Sequence, residues 1–348
     1  MKADLYLSAI VIGMIALSSC KKAELDSASS KLGPQSLLSS KKDTSADVYV
    51  AGFVNSTSIP LTVAAYWKNG ILHKLCDSSV DSRATSIAVQ DSDVLIATTN
   101  VHNNDFVAGY YRNGNRVVLA DKAFTGLSHC AVFSGSDFYI CGAMMVNGNY
   151  KAVYWKNGIA HFLPDKSPQS YAYGITVNGS DVYVAGAAIT TVNHKYAVYW
   201  KNDTAYNLTD TVSQSEARDI ALVKNDVYIV GDSPSAGTYW KNGKPILLSD
   251  AAGLMSITTS GNDYYFSGNR STGGQGIYWI KDKAYYLPSN GYETSADGIA
   301  VLNNDVYVAG WTIGDLSKVT PVYWKNGNIV QLPTPTPGTA LSIAVVPR

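Results

Sequence analysis

Asp181–Gly186 reads DVYVAG, and the chain keeps returning to this hexapeptide. Copies, some of them drifted, start at Asp47, Asp93, Asp137, Asp181, Asp226, Asp263 and Asp305; the first and last lie 258 residues apart across six intervals, a mean period of 43. A second motif, YWKNG, runs from Tyr66 to Gly70 and recurs at Tyr154, Tyr239 and Tyr323, with near-copies at Tyr110, Tyr199 and Tyr278. Upstream of every DVYVAG copy but the first sits a short apolar segment such as SIAV at Ser86. Downstream of each YWKNG a short segment ends on leucine, from Leu75 in the first unit to Leu332 in the last. Each unit therefore holds four short strands rich in aromatic and β-branched residues. The Asn-Gly step takes φ > 0 at both positions and joins two of the strands as a two-residue hairpin. Four antiparallel strands repeated at this spacing define the blade of a β-propeller. A helical repeat would instead show a 3.6-residue apolar period, and none is present.

The ends fix the number of blades. The first unit lacks its SIAV segment, and the chain finishes ALSIAVVPR, so Ser342 to Val345 supplies the missing strand. The expected fold is all-β: a seven-bladed β-propeller over residues 47–348, with four antiparallel strands per blade, closed by the C-terminal strand pairing into the first blade. The PTPTP run from Pro333 to Pro337 is the stiff crossing to that strand. Through these strands, residues 47–348 resemble the DVYVAG-type seven-bladed repeats of secreted bacterial proteins. The resemblance implies fold and export and transfers no catalytic residue. The chain departs from the WD40 pattern, with no Gly-His or Trp-Asp pair per blade, and from kelch, with no paired glycines recurring from blade to blade.

Residues 1–19 read as a signal peptide: one lysine, an apolar run from Leu5 to Leu17, then small residues. LSSC at Leu17 to Cys20 resembles the lipobox of bacterial lipoproteins, which implies cleavage before Cys20 and acylation of that residue; the competing reading is an ordinary signal peptide or a retained anchor. Several acyl chains on one residue hold a protein stably at a membrane. Residues 20–46 are then a lipidated cysteine and a tether rich in Ser and Lys, whose 26 residues after Cys20 reach roughly 28 Å as a random coil. Lysine follows Cys20 where an aspartate would resemble an inner-membrane retention signal, so the expected location is the bacterial cell envelope at the outer membrane. Lys plus Arg and Asp plus Glu both number 27, so no basic excess draws nucleic acid. The expected propeller is monomeric, and the sequence calls for no cofactor and no metal: the histidines show no ligand spacing.

A residue present in every blade serves the blade. Tyr66 and Trp67 point to opposite faces of their strand, so each Tyr-Trp pair is expected to pack against two neighbouring blades. The basic residue of the motif, Lys68 for example, reads as a solvated charge guarding an outer strand. The repeated aspartates read as turn-closing groups.

Ligand-binding candidates come from residues that do not repeat. One group lies in the variable segments after DVYVAG: His102, Asn104, His194, Tyr196, Arg270, Trp311 and Asp315. Trp311, the tryptophan outside the pentapeptides, is the stacking candidate and is placed in a loop. A second group starts the inner strands as a ring of Ser86, His129, Gly174, Asp219, Ser256, Gly298 and Ser342, with Arg218 and Asp297 one position earlier. Two readings stand: a channel-mouth site for a small polar ligand, or small residues where seven strands converge. Cys130 and Cys141 flank one hairpin in opposing register, either as a cross-strand disulfide or as two buried thiols.

The expected function is a membrane-anchored, non-enzymatic binding or scaffold propeller that presents its variable loops to a protein or glycan. The alternatives are an exported hydrolase or lyase acting on saccharides at the channel mouth, with Asp219, Asp297 and His129 as its actors, and a partner in outer-membrane assembly or maintenance.

Overall fold

The computed structural model describes residues 46–57, 61–76, 80–119, 125–234, 236–289, 293–314 and 318–348. The expected signal peptide, Cys20 and almost all of the tether lie outside the described residues, as does Asp315.

The described strands form seven four-stranded antiparallel sheets, each running in sequence order except the first. There the C-terminal strand Gly338–Pro347 pairs with Ala46–Asn55, in a register that sets Ser342 opposite Ala51 and Val345 opposite Val48. The ring thus closes on the strand the sequence singled out. We number the blades from this one.

Seven apolar clusters hold the ring, and each joins two adjacent blades. The Tyr-Trp pair does what its alternation demands. Trp240 packs into the cluster between blades 4 and 5, whereas Tyr239 packs into the one between blades 5 and 6. All six pentapeptide tryptophans are buried to 2% exposure or less. Trp67 and Trp200 also donate their indole N–H to Pro333 and Pro164 carbonyls of the preceding blade, at 2.8 and 2.9 Å. Burial of this size dominates blade-to-blade packing.

The two motifs meet in one clasp. At six of the seven hairpins an Asn occupies the left-handed region, as at Asn157 (φ 51°) before Gly158 (φ 85°), and in blade 6 Lys281 does so. The Asn157 amide donates to Asp137 Oδ1 at 2.7 Å, and its carbonyl accepts the Phe138 N–H at 3.0 Å. Lys156 pairs with the other Asp137 oxygen at 2.8 Å. The same Asp–Lys or Asp–Arg pairing recurs in all seven blades. The repeated basic residue is therefore not simply a solvated edge guard; it is tied to the repeated aspartate of its own blade.

One feature of the backbone positions the centre of the ring. In all seven blades the register between the inner and second strands slips by one, leaving an extra residue on the inner strand. In blade 4, for example, Ala172 faces Gly186 and Gly174 faces Ala185, so Tyr173 is skipped. A β-bulge of this kind bends the strand and re-aims the extra side chain. It also explains the glycine of DVYVAG: a methyl group on Gly186 would run into the Tyr171 carbonyl.

Candidate functional site

The bulged residues are Thr85, His129, Tyr173, Arg218, Met255, Asp297 and Leu341, in blades 2 to 7 and then 1. All seven line a central cavity of about 340 Å³. This corrects the ring expected from the sequence. His129 belongs with Arg218 and Asp297, whereas Cys130 is the counterpart of Ser86, Asp219 and Ser342, one residue later on their strands. There are two stacked rings, and the inserted residue hid the offset.

The later ring is structural. Each acceptor takes the backbone N–H of the next blade: Ser342 Oγ from Ile87 (3.2 Å), Ser86 Oγ from Ala131 (3.1 Å), Cys130 sulfur from Ile175, and Asp219 Oδ2 from Ile257 (3.0 Å). Blade 4 carries Gly174 here and offers no side-chain acceptor; a Cβ on it would meet Asp219 at 2.6 Å from the Cα. Asp219 compensates by accepting its own blade's Ile220 N–H at 2.9 Å through Oδ1. Oδ2 accepts the Ser256 hydroxyl as well, at 2.9 Å. Burial pushes the Asp219 carboxyl up to about 6 despite these donors. Both of its oxygens are thus occupied, Oδ2 by donors of the next blade and Oδ1 by its own.

The bulged ring is different. Arg218 pairs with buried Glu216, and more distantly with Asp232 at 3.8 Å; Lys195 reaches Glu216 from the third strand of blade 4 at 2.9 Å. Burial works against the Glu216 charge, but Arg218 and then Lys195 outweigh it and hold the carboxyl below its ordinary range. Arg218 is likewise opposed by burial and kept charged by Glu216 and Asp232. Asp297 is 8% exposed, and the Ser295 hydroxyl donates to its Oδ1 at 2.7 Å. Burial pushes it up to about 7, with the Ser295 bond and Arg218 pulling the other way. Burial drives His129 down to about 4, so it is neutral near pH 7. Its ring meets Tyr173 edge-on at 5.1 Å, and Tyr173 lies parallel to Tyr171 at 6.3 Å. His129 Nε2, Arg218 Nε and Asp297 Oδ2 are enclosed atoms without a hydrogen-bond partner among the described residues.

The structure brings His129, Arg218, Asp219 and Asp297 to the central cavity. It does not gather the other candidates. His102 ends the second strand of blade 2, exposed and facing Asp105 across the Asn103–Asn104 turn. His194 precedes the third strand of blade 4, its N–H donating to Thr190 Oγ1 at 3.1 Å. Tyr196 is a buried residue whose hydroxyl meets Ser167 Oγ at 2.6 Å. Arg270 lies over the Tyr286 ring at 5.2 Å, in blade 6. Trp311 is half-buried and sits in a strand, not a loop: Asp305–Ile313 continues through it, opposite Ser295 and Pro321. None of these five lines the central cavity. Sequence reasoning missed Tyr173, Glu216, Lys195 and Asp232. Aligning each inner strand on its following Ile or Ala would have placed Tyr173 beside His129. Cys130 and Cys141 do stand opposite each other, as free thiols.

These features define a seven-bladed β-propeller with a mixed-charge polar cavity on its axis. No family model and no curated protein matches the sequence. Among solved structures, the chain is similar to a puromycin-hydrolyzing peptidase of Mycobacterium tuberculosis, with a TM-score of 0.54 and 10% identity over 82% of this chain and 52% of that one. It therefore spans about half the length of that peptidase. A second similar structure is TolB from Acinetobacter baumannii, with a TM-score of 0.47 and 11% identity over 86% of this chain and 67% of that one. At these identities the likeness to the peptidase is one of fold alone.

Proposed function

We propose that this chain is a non-enzymatic ligand-binding propeller of the bacterial cell envelope, anchored by acyl chains on Cys20. Its binding region is the central cavity and the face around it. The observation that carries the binding reading is how the cavity's carboxyl groups are engaged. Hydrolysis of a glycosidic bond needs two cooperating carboxyl groups. Asp219 spends one oxygen on inter-blade donors and the other on its own blade's Ile220 N–H, and Glu216, outside the lining, is tied to Arg218 and Lys195. Of the two carboxyls that line the cavity, Asp219 and Asp297, only Asp297 keeps an unpartnered oxygen. One such carboxyl sharing the cavity with a neutral histidine suits recognition better than a two-carboxyl reaction.

The anchoring part rests on the LSSC stretch, and a radiolabelled fatty acid tests it: label should enter the wild-type chain and be lost with Cys20→Ser, which also moves the protein to the soluble fraction. The binding part is tested with saccharide and peptide substrates. Turnover abolished by Asp297→Ala or His129→Ala would overturn it. Ligand retention without turnover is the expected result.

A further inference from the structure

Three features converge on the central cavity, from blades 3 to 5 and, through Asp297, from blade 7. The first is aromatic. Tyr150 of blade 3 lies 5.4 Å from Tyr171 of blade 4, Tyr171 lies parallel to Tyr173, and Tyr173 meets His129. These four rings form a stair that ends at the cavity lining, where Tyr173 and His129 sit. None of the four belongs to the repeat: Tyr171 and Tyr173 have Arg83 and Thr85 as their counterparts in blade 2. The blade-packing explanation that accounts for the pentapeptide aromatics therefore does not cover them.

The second feature is charge. Glu216 and Asp232 are answered by Arg218 and Lys195, two anions by two cations. Among the described residues that line the cavity, Arg218 is the cation, and Glu216 already answers it, so none is left free to select a phosphate or a carboxylate. Of the remaining carboxyls, Asp219 has both oxygens occupied by hydrogen-bond donors, and burial pushes Asp297 up to about 7, so it is only partly charged near neutral pH. A cationic ligand therefore has no strong counter-charge. The third feature is hydrogen-bonding capacity without a partner: His129 Nε2, Arg218 Nε and Asp297 Oδ2 together can both donate and accept. Buried polar atoms without partners are costly and are kept where they have a use.

We infer that the cavity binds an uncharged, polyhydroxylated ring, a single sugar residue, with one face of the ring packed on Tyr173 and its hydroxyls meeting Arg218, Asp297 and His129. The C–H edge of such a ring is slightly positive and suits the negative face of an aromatic ring. Its hydroxyls donate and accept alike, which fits a lining offering both. The cavity volume lies at the small end of the roughly 300–1,000 Å³ range of ligand pockets, room for one sugar ring rather than an extended peptide. This inference rests on the ligand-binding reading above and narrows it to one ligand class.

The test is calorimetric titration of the whole purified chain with a panel of neutral monosaccharides and N-acetylhexosamines. Separate arms use inorganic phosphate, acetate and methylammonium. The expected result is saturable binding of at least one neutral sugar. Tyr173→Ala should weaken it roughly tenfold, and Tyr173→Phe should keep it within about threefold, because the ring face is retained. Thermal melts of both variants separate lost binding from lost folding. If Tyr173→Ala does not fold, Tyr171→Ala serves in its place and should weaken binding severalfold.

The inference fails if no neutral sugar binds, if sugar binding is indifferent to both tyrosines, or if phosphate, acetate or methylammonium binds in a sugar's stead. The broader reading fails in a different way, by turnover of a substrate. A chain that binds acetate at this cavity without turning anything over would sink the sugar and spare the binding propeller.

Discussion

Replacing Asp297 with asparagine should stabilise the protein most at pH 8 and by less than half as much at pH 5. Asp297 is buried, receives one hydroxyl from Ser295, and has its second oxygen unpartnered. Its folded-state pKa rises from the ordinary 3.8 to about 7. A carboxyl raised in this way keeps its proton in the folded state at pH values where the unfolded chain has released it. Stability is therefore fully present below about pH 4, is lost as pH rises toward 7, and does not return above that. A shift of about three units corresponds to about 4 kcal/mol. Asparagine mimics the protonated acid, keeps an acceptor for Ser295, and cannot ionise. At pH 8 the variant should gain most of that amount, about 5–8 °C in Tm for a domain of this size. Asp219, pushed up to about 6, adds a pH dependence of the same sign that remains in the variant. Glu216 is lowered below its ordinary 4.5, so its contribution is lost only as pH falls below that value, outside the window compared. Thermal melts of both proteins at pH 5 and pH 8 decide the matter. Equal melting temperatures at pH 8, or a difference that does not change with pH, would refute the assignment of a strained, proton-holding carboxyl to this cavity.

Other consequences follow from the packing. Trp67→Ala removes a buried ring and its bond to the Pro333 carbonyl, and should cost about 3–5 kcal/mol in urea unfolding, well above the cost of Trp311→Ala at its half-buried position. Gly186→Ala drives a methyl group into the Tyr171 carbonyl across the bulge and should lower stability by at least about 1–3 kcal/mol, whereas alanine at Gly179, at the open turn following the same inner strand, pays only the positive-φ penalty of about 1 kcal/mol. The Cys130 thiol is pushed up to about 12 by burial and by the nearby Asp219 charge, so a thiol reagent at pH 8 should label neither Cys130 nor Cys141 in the native chain and both in urea. Rapid labelling of the folded protein would contradict that burial.

Much of the architecture was legible in the chain because it is written seven times. Asn-Gly can hardly be anything but a primed hairpin turn, and Tyr-Trp alternation sends its two rings to opposite neighbours wherever it recurs. The closure was legible because Ser342 to Val345 had no blade of its own. What did not show is the bulge. It inserts one residue without a sequence mark, so matching by letters put His129 into the ring of Asp219, when its true companions are Arg218, Tyr173 and Asp297. Glu216, Lys195 and Asp232 were hidden because they lie on different strands: Glu216 faces Asp232 in strand register, and Lys195 reaches Glu216 from the neighbouring blade. Trp311 was assigned to a loop because its letters vary, yet strand pairing runs through backbone groups and is indifferent to that variation. The variable segments of blades 2 and 3 are likewise short hairpins, turning at Asn103–Asn104 and Asn147–Gly148, not long binding loops.

The most direct test of the account is native mass spectrometry of the chain purified from its native host, comparing wild type with Tyr173→Ala at matched folding. The account predicts an adduct of neutral-sugar mass on the wild-type protein that is depleted in the variant. Identical spectra, or an adduct that survives loss of the Tyr173 ring, would contradict the claim that the residues outside the repeat carry the function.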